Sequence, residues 1–411
     1  AAALAAPLGR CVALTDGTAA AALLKAVDDA LVQYVGGLMS TLKRLRRSLG
    51  LPGGVGSGGS KSSKIASDGS VGGDHGEGDG AAGTGEESIQ ASLRLLSVSA
   101  ALSAHVNHLE RGLLAALREL RAALSAALPP AAKPGQPPAA LPQPATAEAL
   151  TPALAALAAN PARTRRLRAL LDQAVEDPRF NPLPHGAPRA AAFAEATHAF
   201  VLDVLLSRVR HEVGGMARRL EWSAAPAESA FKLPTFSAYP QEYMTNAGEY
   251  LLSLPQHLEA IAEAAEEEKD AATVAATAAA VAAAAGDDQA ATVAVANNPP
   301  ALDDVEPELE AGEWMSKVAE AASGLLLAEV RAIPALTEPG AAQLAADLEY
   351  FTNIVTALSL EPPAALRTYA VCAATARDSY GISVREDTLE GRRLDEDVVR
   401  AVASLRGIPL D

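Results

Sequence analysis

Seams of apolar residues at alternating spacings of three and four constrain the fold of this chain more than any other feature of its sequence. The longest seam predicts one helix from about Glu86 to Leu128, with Leu102, Val106, Leu109, Leu113, Leu117, Leu120, Leu124 and Leu128 on one side. Such spacings place side chains on one face of an α-helix. A helix of about forty residues is on the order of 60 Å long, so its seam needs partner helices along its length.

A second seam predicts a helix from Thr15 to Leu49, with Thr15 or Asp16 as the N-cap and Gly50 and Pro52 as the stop. Its members are Leu24, Val27, Leu31, Tyr34, Leu38, Leu42, Leu45 and Leu49. Aromatic residues make up only 4% of the chain, while Ala and Leu dominate, which favours helix over sheet. We therefore predict an all-α fold of elongated, stacked helical bundles with long disordered insertions.

Low-complexity stretches divide the chain, because Gly/Ser-rich and Pro-rich segments cannot bury enough apolar area to order themselves. The predicted organisation is a helical segment over 1–50, a disordered Gly/Ser-rich linker over 51–86, a long helix over 87–128, a Pro-rich linker over 129–145, a helical bundle over 146–270, an Ala-rich insertion over 271–300 and a C-terminal helical bundle over 301–411. Shorter helices are predicted over residues 147–158, 161–176, 189–222, 303–333, 339–361, 364–377 and 395–406. In the 189–222 helix, Leu220 is predicted to face inward with seven other apolar residues.

Charge and cysteine usage narrow the partners and the compartment. A formal charge of -16 repels phosphate backbones, so no nucleic-acid partner is expected. Cys11 and Cys372 form no CxxC pair and suit the reducing cytosol, each as a buried small hydrophobe. The chain begins AAALAAPLGR without a signal peptide, and we interpret it as lacking an N-terminal portion.

No constellation of residues indicates catalysis. The sequence lacks GxSxG and GxxxxGK[ST] patterns, and its seven His are dispersed. The run GGDHGEGDG, with Asp74, His75, Glu77 and Asp79, lies in the predicted linker, where no neighbouring element would fix these side chains around a metal ion. His257 is the best single candidate for acid-base chemistry, and helix packing is its simpler role. We predict no catalytic, cofactor-binding or metal-binding residues, and no cofactor.

Three of the seven tyrosines of the chain, Tyr239, Tyr243 and Tyr250, lie in SAYPQEYMTNAGEYLLSLPQHLE, residues 237–259. Read as a helix with Pro240 in its first turn, this stretch places five residues on one side: Tyr243, Ala247, Tyr250, Leu251 and Leu254. Large side chains on one stripe predict a packed face. We call residues 237–259 the tyrosine motif.

The tyrosine motif resembles the Tyr-Pro, Thr-Asn, Gly-Glu-Tyr-Leu-Leu and Leu-Pro-Gln-His-Leu-Glu sequence of the conserved oligomeric Golgi complex subunit 7 family. EWMSKVAEAASGLLLAEVRAI (313–333) and GAAQLAADLEYFTNIVTALSLEPPAAL (340–366) resemble two further family segments. RCVALTDGTAAAALLKAVDDALVQYVGGLMSTLKRLR (10–46) is similar to plant-type members. The strong similarity covers residues 10–46, 200–260 and 313–366.

This resemblance implies a function that the residues alone do not. It implies a non-catalytic subunit of a Golgi vesicle-tethering complex, peripheral on the cytosolic face of the Golgi membrane, acting in retrograde vesicle transport within the Golgi and thereby in Golgi organisation and glycosylation. The implied partners are subunits 5, 6 and 8, with SNAREs, Rab GTPases and coiled-coil tethers. The family has no catalytic residues to assign.

Two basic clusters keep an alternative open. Lys43, Arg44, Arg46 and Arg47 end the first predicted helix, and Arg163, Arg165, Arg166 and Arg168 lie in the helix 161–176. Solvation of a helix end or face accounts for both clusters most simply. Anionic lipid headgroups or an acidic partner surface would also attract such clusters, and they motivate a peripheral lipid-binding scaffold as the alternative function.

Overall fold

The computed structural model describes residues 15, 19–52, 81–127, 160–223, 239–260, 263, 311–381, 384, 388–389 and 392–409. Its α-helices are α1 (Ala20–Ser48), α2 (Ala81–Ala127), α3 (Pro161–Glu176), α4 (Gly186–Leu205), α5 (Ser207–Val213), α6 (242–260), α7 (Ala311–Arg331), α8 (Glu338–Ala357), α9 (Ala364–Ala374) and α10 (Glu396–Arg406). Short 3-10 helices cover Met216–Arg218, Leu220–Trp222 and Arg377–Ser379. The two strands of the described part, β1 (Thr388–Leu389) and β2 (Arg392–Arg393), pair antiparallel with Thr388 opposite Arg393. The all-α prediction is confirmed.

The chain divides into two compact units. The described residues of the first unit fall within 15–52, 95–127 and 160–198, and those of the second fall within 81–94, 199–263 and 311–409. Helices α2 and α4 contribute residues to both units.

The core of the first unit is built by α1, α2 and α3, together with Leu183 from the segment that follows α3. Its buried members are Ala20, Leu24, Val27, Leu109, Leu113, Leu117, Leu120, Leu124, Leu167, Leu171, Ala174 and Leu183. The seam predicted in the second helix therefore packs as expected from Val106 to Leu124. Helix α2 begins at Ala81, before the predicted start, so residues 81–86 are helical and do not belong to the linker. Once a helix is nucleated, each added residue gains a backbone hydrogen bond at little further cost, even across Gly83 and Gly85.

Helix α1 differs from its prediction at its start. Ala19 occupies the N-cap and no side chain caps the helix, so Thr15 does not serve as the cap, and Asp16 lies outside the described residues. The helix begins where its buried face begins, at Ala20, because packing of an apolar face outweighs capping as a source of helix stability. Its end agrees with the prediction: Gly50 has φ +64 and Leu51 N–H donates to Arg46 C=O, as in a Schellman motif.

Three predicted members of the α1 seam are exposed: Leu45, Leu49 and, most of all, Tyr34. The Tyr34 side chain is 61% exposed, whereas the neighbouring Val35 is fully buried. Successive helix positions differ by about 100°, and the buried face passes through Val27, Val35 and Leu42, which leaves Tyr34 at its edge.

The single helix predicted over residues 189–222 is wrong. Helix α4 begins at Gly186 and ends at Leu205, α5 follows, and Gly214 then ends the helical run. Gly215 has φ +79, a left-handed conformation that glycine adopts without steric cost. Two short 3-10 helices follow Gly215 in place of the predicted α-helix. Because the α-helical spacing is lost, Leu220 is 84% exposed while Trp222 is buried.

Asp28 of α1 sets where α4 starts. Its carboxylate accepts backbone hydrogen bonds from Gly186 N–H (2.6 Å to Oδ1) and from His185 N–H (3.2 Å to Oδ1). These donors lie at the helix N-terminus, which normally lacks intrahelical partners and favours negative charge. The buried Asp28 thus caps α4 across a long sequence separation.

In the second unit α8 packs against α9, and α9 against α10. Thr337 caps α8 by accepting from Gly340 N–H, with Pro339 in the first turn, and Asp395 caps α10 by accepting from Asp397 N–H. The apolar stripe of α8 is buried at Leu344, Leu348, Phe351 and Val355. The buried residues of α7 are Trp314, Met315, Val318, Ala319, Ala322, Ser323, Leu326, Leu327 and Val330.

Several sequence predictions fall outside the described residues. They are the linker residues 53–80 with Asp74 and His75, the Pro-rich linker 129–145, the helix 147–158, the Ala-rich insertion 271–300, the first residues of the helix predicted over 303–333, and Cys11. Cys372 is described and is fully buried, as its interpretation as a small hydrophobe requires.

Candidate functional site

The tyrosine motif forms helix α6 with one buried face. Tyr243, Met244, Ala247, Tyr250, Leu251, Leu254 and Leu258 are all buried, at spacings of three and four. The predicted packed face is therefore present. Pro240 lies before the helix and not in its first turn, and Gln241 C=O accepts the first helical hydrogen bonds, from Met244 and Thr245.

A buried carboxylate accepts hydrogen bonds from the start of α6. Asp347 of α8 is completely buried and accepts three hydrogen bonds. Tyr243 OH donates to Oδ2 at 2.7 Å, Gln241 N–H donates to Oδ1 at 2.8 Å, and the Gln343 side-chain amide donates to Oδ1 at 3.0 Å. Gln343 also donates to Tyr239 C=O at 2.7 Å. Asp347 thus ties α6 to α8 and satisfies a backbone donor at the N-terminus of α6.

Burial dominates the acid-base properties of this pair. It raises the pKa of the Asp347 carboxyl above its usual value, and the three hydrogen bonds and the charge of Arg219 lower the pKa only in part. Burial, followed by the charge of Asp347, raises the pKa of Tyr243 far above its usual range. Tyr243 therefore remains a neutral donor, and nothing here prepares it as a base.

Arg219 covers the outer side of this cluster. Its guanidinium lies 4.3 Å from the centre of the Tyr243 ring and donates to Gln241 Oε1 at 3.2 Å. The Gln241 amide in turn donates to Glu221 Oε2. A cation over an aromatic face is attracted by the ring quadrupole, so Arg219 shields the buried phenol from solvent while adding a favourable contact.

Tyr250 is anchored in the same manner farther along α6. Its hydroxyl donates to Leu205 C=O at 2.7 Å, and the Arg208 guanidinium lies 5.4 Å from its ring centre. Burial raises the pKa of Tyr250 to about 12, against the lowering effect of Arg208. Both buried tyrosines of the motif thus use their hydroxyl groups in internal contacts.

Gly248 allows the two helices to meet closely. A Cβ atom at Gly248 would lie 2.7 Å from Cε1 of Tyr350 and 3.1 Å from Cγ1 of Ile354. Tyr350 and Ile354 belong to α8 and follow Asp347 by three and seven residues. The tyrosine motif and the Asp-Leu-Glu-Tyr segment 347–350 therefore pack directly on each other.

The remaining residues of the motif lie toward solvent. Tyr239 is 81% exposed, Glu259 is exposed and His257 is half-buried. The three donors to Asp347 come from Tyr243, Gln241 and Gln343, so the structure does not bring His257 into this cluster. The arrangement around α6 joins helices and forms no recognisable reaction centre.

The two basic clusters are at the surface. Lys43, Arg44 and Arg47 are exposed at the end of α1, and Arg163, Arg165 and Arg166 are exposed on α3. Within the described ranges, no group of three or more His, Cys, Asp or Glu could hold a metal ion. Across these same ranges no single helix is long and apolar enough to cross a membrane. One bent pair of helices, Gly186–Leu205 with Ser207–Arg218, meets the requirements for a membrane span by length and composition only.

Comparison with known proteins decides the family. The family model described as "Golgi complex component 7 (COG7)" matches residues 2–407. This chain belongs to the Golgi complex component 7 family. It is 33% identical over 99% of its length to the conserved oligomeric Golgi complex subunit 7 of Arabidopsis thaliana, of which the match covers 45%. The human protein of the same name is 26% identical over 54% of this chain and 27% of its own length.

The chain spans less than half the length of these curated relatives. The Drosophila melanogaster subunit 7 is also similar, 26% identical over 45% of this chain and 21% of the relative. No solved structure matches. The resemblance carried by the tyrosine motif is thus confirmed as Golgi complex component 7 family membership over nearly the whole chain.

Sequence reasoning missed the carboxylates that organise these contacts in this family member. Asp347 lies in the family-like segment 340–366, and Asp28 lies in the Asp-Asp pair of the segment 10–46. The signal that could have found them was an acidic residue inside an apolar helix face, which is rarely buried without partners. An acidic residue on an apolar face predicts that a hydrogen-bond donor is buried beside it. It does not show which backbone N–H group is that donor.

Proposed function

We propose that this chain acts as a non-catalytic subunit of the conserved oligomeric Golgi complex. In this role it works as a peripheral protein on the cytosolic face of the Golgi membrane and helps to tether vesicles in intra-Golgi retrograde transport. Golgi organisation and protein glycosylation depend on that transport. The observation that carries the proposal is the family match over residues 2–407, supported by relatives that are named as subunits of this complex.

The architecture is compatible with a scaffold. In the family-like segments Tyr243, Tyr250 and Asp347 make helix-to-helix contacts, and their functional groups are engaged inside the fold. Such contacts stabilise a helical surface for other proteins. The proposed partners are subunits 5, 6 and 8 of the complex, with SNAREs, Rab GTPases and coiled-coil tethers as further partners of the assembly.

Co-expression tests this assignment directly. The chain is tagged and expressed with subunits 5, 6 and 8 from one source, and the purified material is analysed by size-exclusion chromatography with mass determination. We expect stoichiometric co-elution with at least one of the three. A folded chain that elutes alone, in the presence of all three folded partners, would exclude the subunit assignment.

A peripheral lipid-binding scaffold is the second candidate, favoured by the exposed Lys43, Arg44 and Arg47 at the end of α1. Cations near an anionic membrane contribute about 1 kcal/mol each. Sedimentation with phosphatidylserine vesicles, compared with phosphatidylcholine vesicles, would support this candidate if the isolated chain bound only the anionic ones.

We also propose the domain boundaries predicted from the sequence, except that the Gly/Ser-rich linker ends before α2 begins at Ala81, with residues 53–80 and 271–300 acting as dispensable connections. Their composition supports this role. Replacing either stretch by a short Gly/Ser linker should leave the thermal midpoint of unfolding and partner binding unchanged. Loss of folding in either replacement would show that the stretch is part of the folded structure.

A further inference from the structure

The last two turns of α1 are open to solvent. Leu42 is the last buried residue of this helix. Over residues 43–50 every side chain or backbone is exposed except that of Arg46, which is half-buried and donates from Nε to Pro52 C=O at 2.7 Å. These turns nevertheless remain helical up to the Schellman motif that ends α1. We call residues 43–49 the basic tip.

Three cations of the basic tip have no carboxylate partner. Residues 30–52 contain four Lys and Arg residues and no Asp or Glu. Arg44 donates to the hydroxyl of Thr41 at 3.4 Å, and Arg47 Nε donates to Lys43 C=O at 3.3 Å. Both acceptors are neutral, and within the described residues no carboxylate pairs with Lys43, Arg44 or Arg47. The tip is therefore positive in a chain whose formal charge is -16.

The basic tip also exposes apolar side chains on one side. Leu45 is 39% exposed and Leu49 is 43% exposed, and their spacing of four places them on the same side of the helix. Lys43 and Arg47 are likewise four residues apart. Each of these cations lies two positions from a leucine, about 200° around the helix, while Arg44 lies about 100° from Leu45. The tip is therefore amphipathic, with leucines on one side and cations on the other.

We propose that the basic tip docks on an anionic phospholipid bilayer. Helices with Leu on one face and Lys or Arg on the other lie at a bilayer surface and bury the apolar face by about 5–10 Å. Leu45 and Leu49 thus enter the boundary between headgroups and acyl chains. A helix is about 10 Å across, so Lys43 and Arg47 stay within about one Debye length of the headgroups. This role of the tip rests on the proposed function, since it supplies the membrane contact of a peripheral Golgi protein.

The combination of leucines and cations favours a bilayer over the alternatives. Cations at a helix C-terminus are stabilised by the helix dipole, but the dipole gives no reason for exposed leucines beside them. A protein partner that buried Leu45 and Leu49 would also desolvate nearby cations, which the cores of protein interfaces exclude. At a bilayer the leucines insert while long cationic side chains stay in the hydrated headgroup layer. Because the whole chain is negative, an anionic bilayer attracts it through the tip.

Vesicle sedimentation of the full 411-residue chain tests this site. One set of vesicles contains phosphatidylserine and phosphatidylcholine in equal parts, and the control set contains phosphatidylcholine alone. We expect the parent chain to sediment with the mixed vesicles and not with the neutral ones. Added salt should weaken the binding, because it screens the attraction between the cations and the headgroups.

Charge reversal locates the binding. Arg44→Glu/Arg47→Glu should lower the partition coefficient for mixed vesicles by about tenfold or more, because two attractive charges become repulsive. Arg163→Glu/Arg166→Glu is the matched control, since it makes the same change of net charge at two exposed residues of α3. We expect less than about a threefold loss in this control, because its charges lie away from the tip. Circular dichroism and thermal melting confirm that each variant is folded.

Loss of the leucines tests insertion separately from charge. Leu45→Gln and Leu49→Gln should each lower the partition coefficient by about threefold or more, because the apolar side chains no longer enter the bilayer. Leu252→Gln on α6 is the matched control, since Leu252 is 40% exposed and Leu45 is 39% exposed. This control should bind the mixed vesicles as the parent does.

Three results would overturn the proposal. The first is a folded parent chain that does not bind the mixed vesicles. The second is an equal loss in the two double variants, which would indicate a response to net charge alone. The third is an Arg44→Glu/Arg47→Glu chain that binds vesicles normally but no longer co-elutes with subunits 5, 6 and 8, which would assign the tip to an acidic protein surface.

Co-elution of the parent chain with these subunits tests the proposed function independently. A chain that joins the subunits and ignores the mixed vesicles would refute the membrane role of the tip and leave the subunit assignment intact. A chain that binds vesicles through the tip and joins no subunit would refute the subunit assignment alone.

Discussion

The hydroxyl of Tyr243 donates a 2.7 Å hydrogen bond to Asp347, and this bond joins two segments of the chain that strongly resemble the family. The same two segments meet again where Gly248 lies against Tyr350 and Ile354. Both Tyr243 and Asp347 are buried, and Asp347 is satisfied by three donors. The specificity of the tyrosine motif is thus explained by a close helix-to-helix contact.

Removing the Asp347 carboxyl should destabilise the second unit. Asp347→Ala leaves the Tyr243 hydroxyl, the Gln241 backbone N–H and the Gln343 amide without their shared acceptor, and we expect a loss of about 3 kcal/mol in the free energy of unfolding. Asp347→Asn keeps one acceptor oxygen and can donate to Tyr243, so we expect a loss of about 1 kcal/mol. Urea unfolding measures both. Equal losses would contradict a role based on hydrogen bonding.

The raised pKa of Asp347 predicts a pH dependence with a definite sign. Its carboxyl is neutral in the folded protein at pH values where it is already ionised in the unfolded chain, so its contribution to stability is complete below the unfolded pKa of about 4 and is lost as pH rises through the higher folded pKa. Relative to Asp347→Asn, the parent should therefore lose stability as pH rises through this window. Urea unfolding of both proteins from acid to neutral pH measures the difference. A parent that gains stability relative to Asp347→Asn would show that the hydrogen bonds lower the pKa more than burial raises it.

The sequence predicted the faces of the helices better than their partners. Spacing alone identified the buried face of the tyrosine motif and the seam of α2, because a helix with one apolar stripe must bury it. Spacing says which residues share a face and not which element covers it. The spacing therefore could not show that Asp28 caps α4 or that Asp347 accepts a hydrogen bond from the start of α6, because both contacts join residues far apart in the chain.

The errors have local causes. Leu220 fitted a helical stripe, but Gly214 and Gly215 end the helix before it and turn the side chain to solvent. Tyr34 fitted the spacing of the α1 seam, but the adjacent Val35 takes the buried position. An aromatic residue at the edge of a stripe is hard to place from sequence, because a step of one residue rotates it by about 100°.

Gly340 is required by the approach of two backbone segments. A Cβ atom there would lie 2.5 Å from the carbonyl oxygen of Trp222, which also accepts a hydrogen bond from Thr337 N–H at 2.8 Å. Because a backbone oxygen cannot turn aside as a side chain can, Gly340→Ala should cost about 2 kcal/mol or more. Gly324→Ala in α7, where nothing lies within 4 Å, should stabilise the protein by about 0.4–1 kcal/mol. Differential scanning calorimetry compares the two, and a neutral Gly340→Ala would show that the two backbone segments can move apart.

Asp28 and Asp29 form a matched pair for testing the cap of α4. Asp28→Ala removes the acceptor of two backbone N–H groups at the N-terminus of α4 and should cost about 1–2 kcal/mol. The adjacent Asp29 is exposed, so Asp29→Ala should change stability by less than about 0.5 kcal/mol. Thermal unfolding of the two variants gives the comparison. Similar melting curves would contradict capping by Asp28.

The central claim is that the aromatic face of the tyrosine motif is a packing surface inside the second unit and not a docking surface. Tyr250 is 7% exposed and its hydroxyl is bound to Leu205 C=O, so Tyr250→Ala should lower the free energy of unfolding by about 3 kcal/mol or more through a cavity and a lost hydrogen bond. Glu259→Ala, on an exposed position of the same helix, should stay within about 0.5 kcal/mol of the parent. The most direct measurement is thermal unfolding of these variants beside a quantitative pull-down with subunits 5, 6 and 8. We predict a clearly lower midpoint for Tyr250→Ala, with partner binding reduced only in proportion to its unfolded fraction. A Tyr250→Ala protein that melts like the parent and loses its partners would contradict packing as the role of this face.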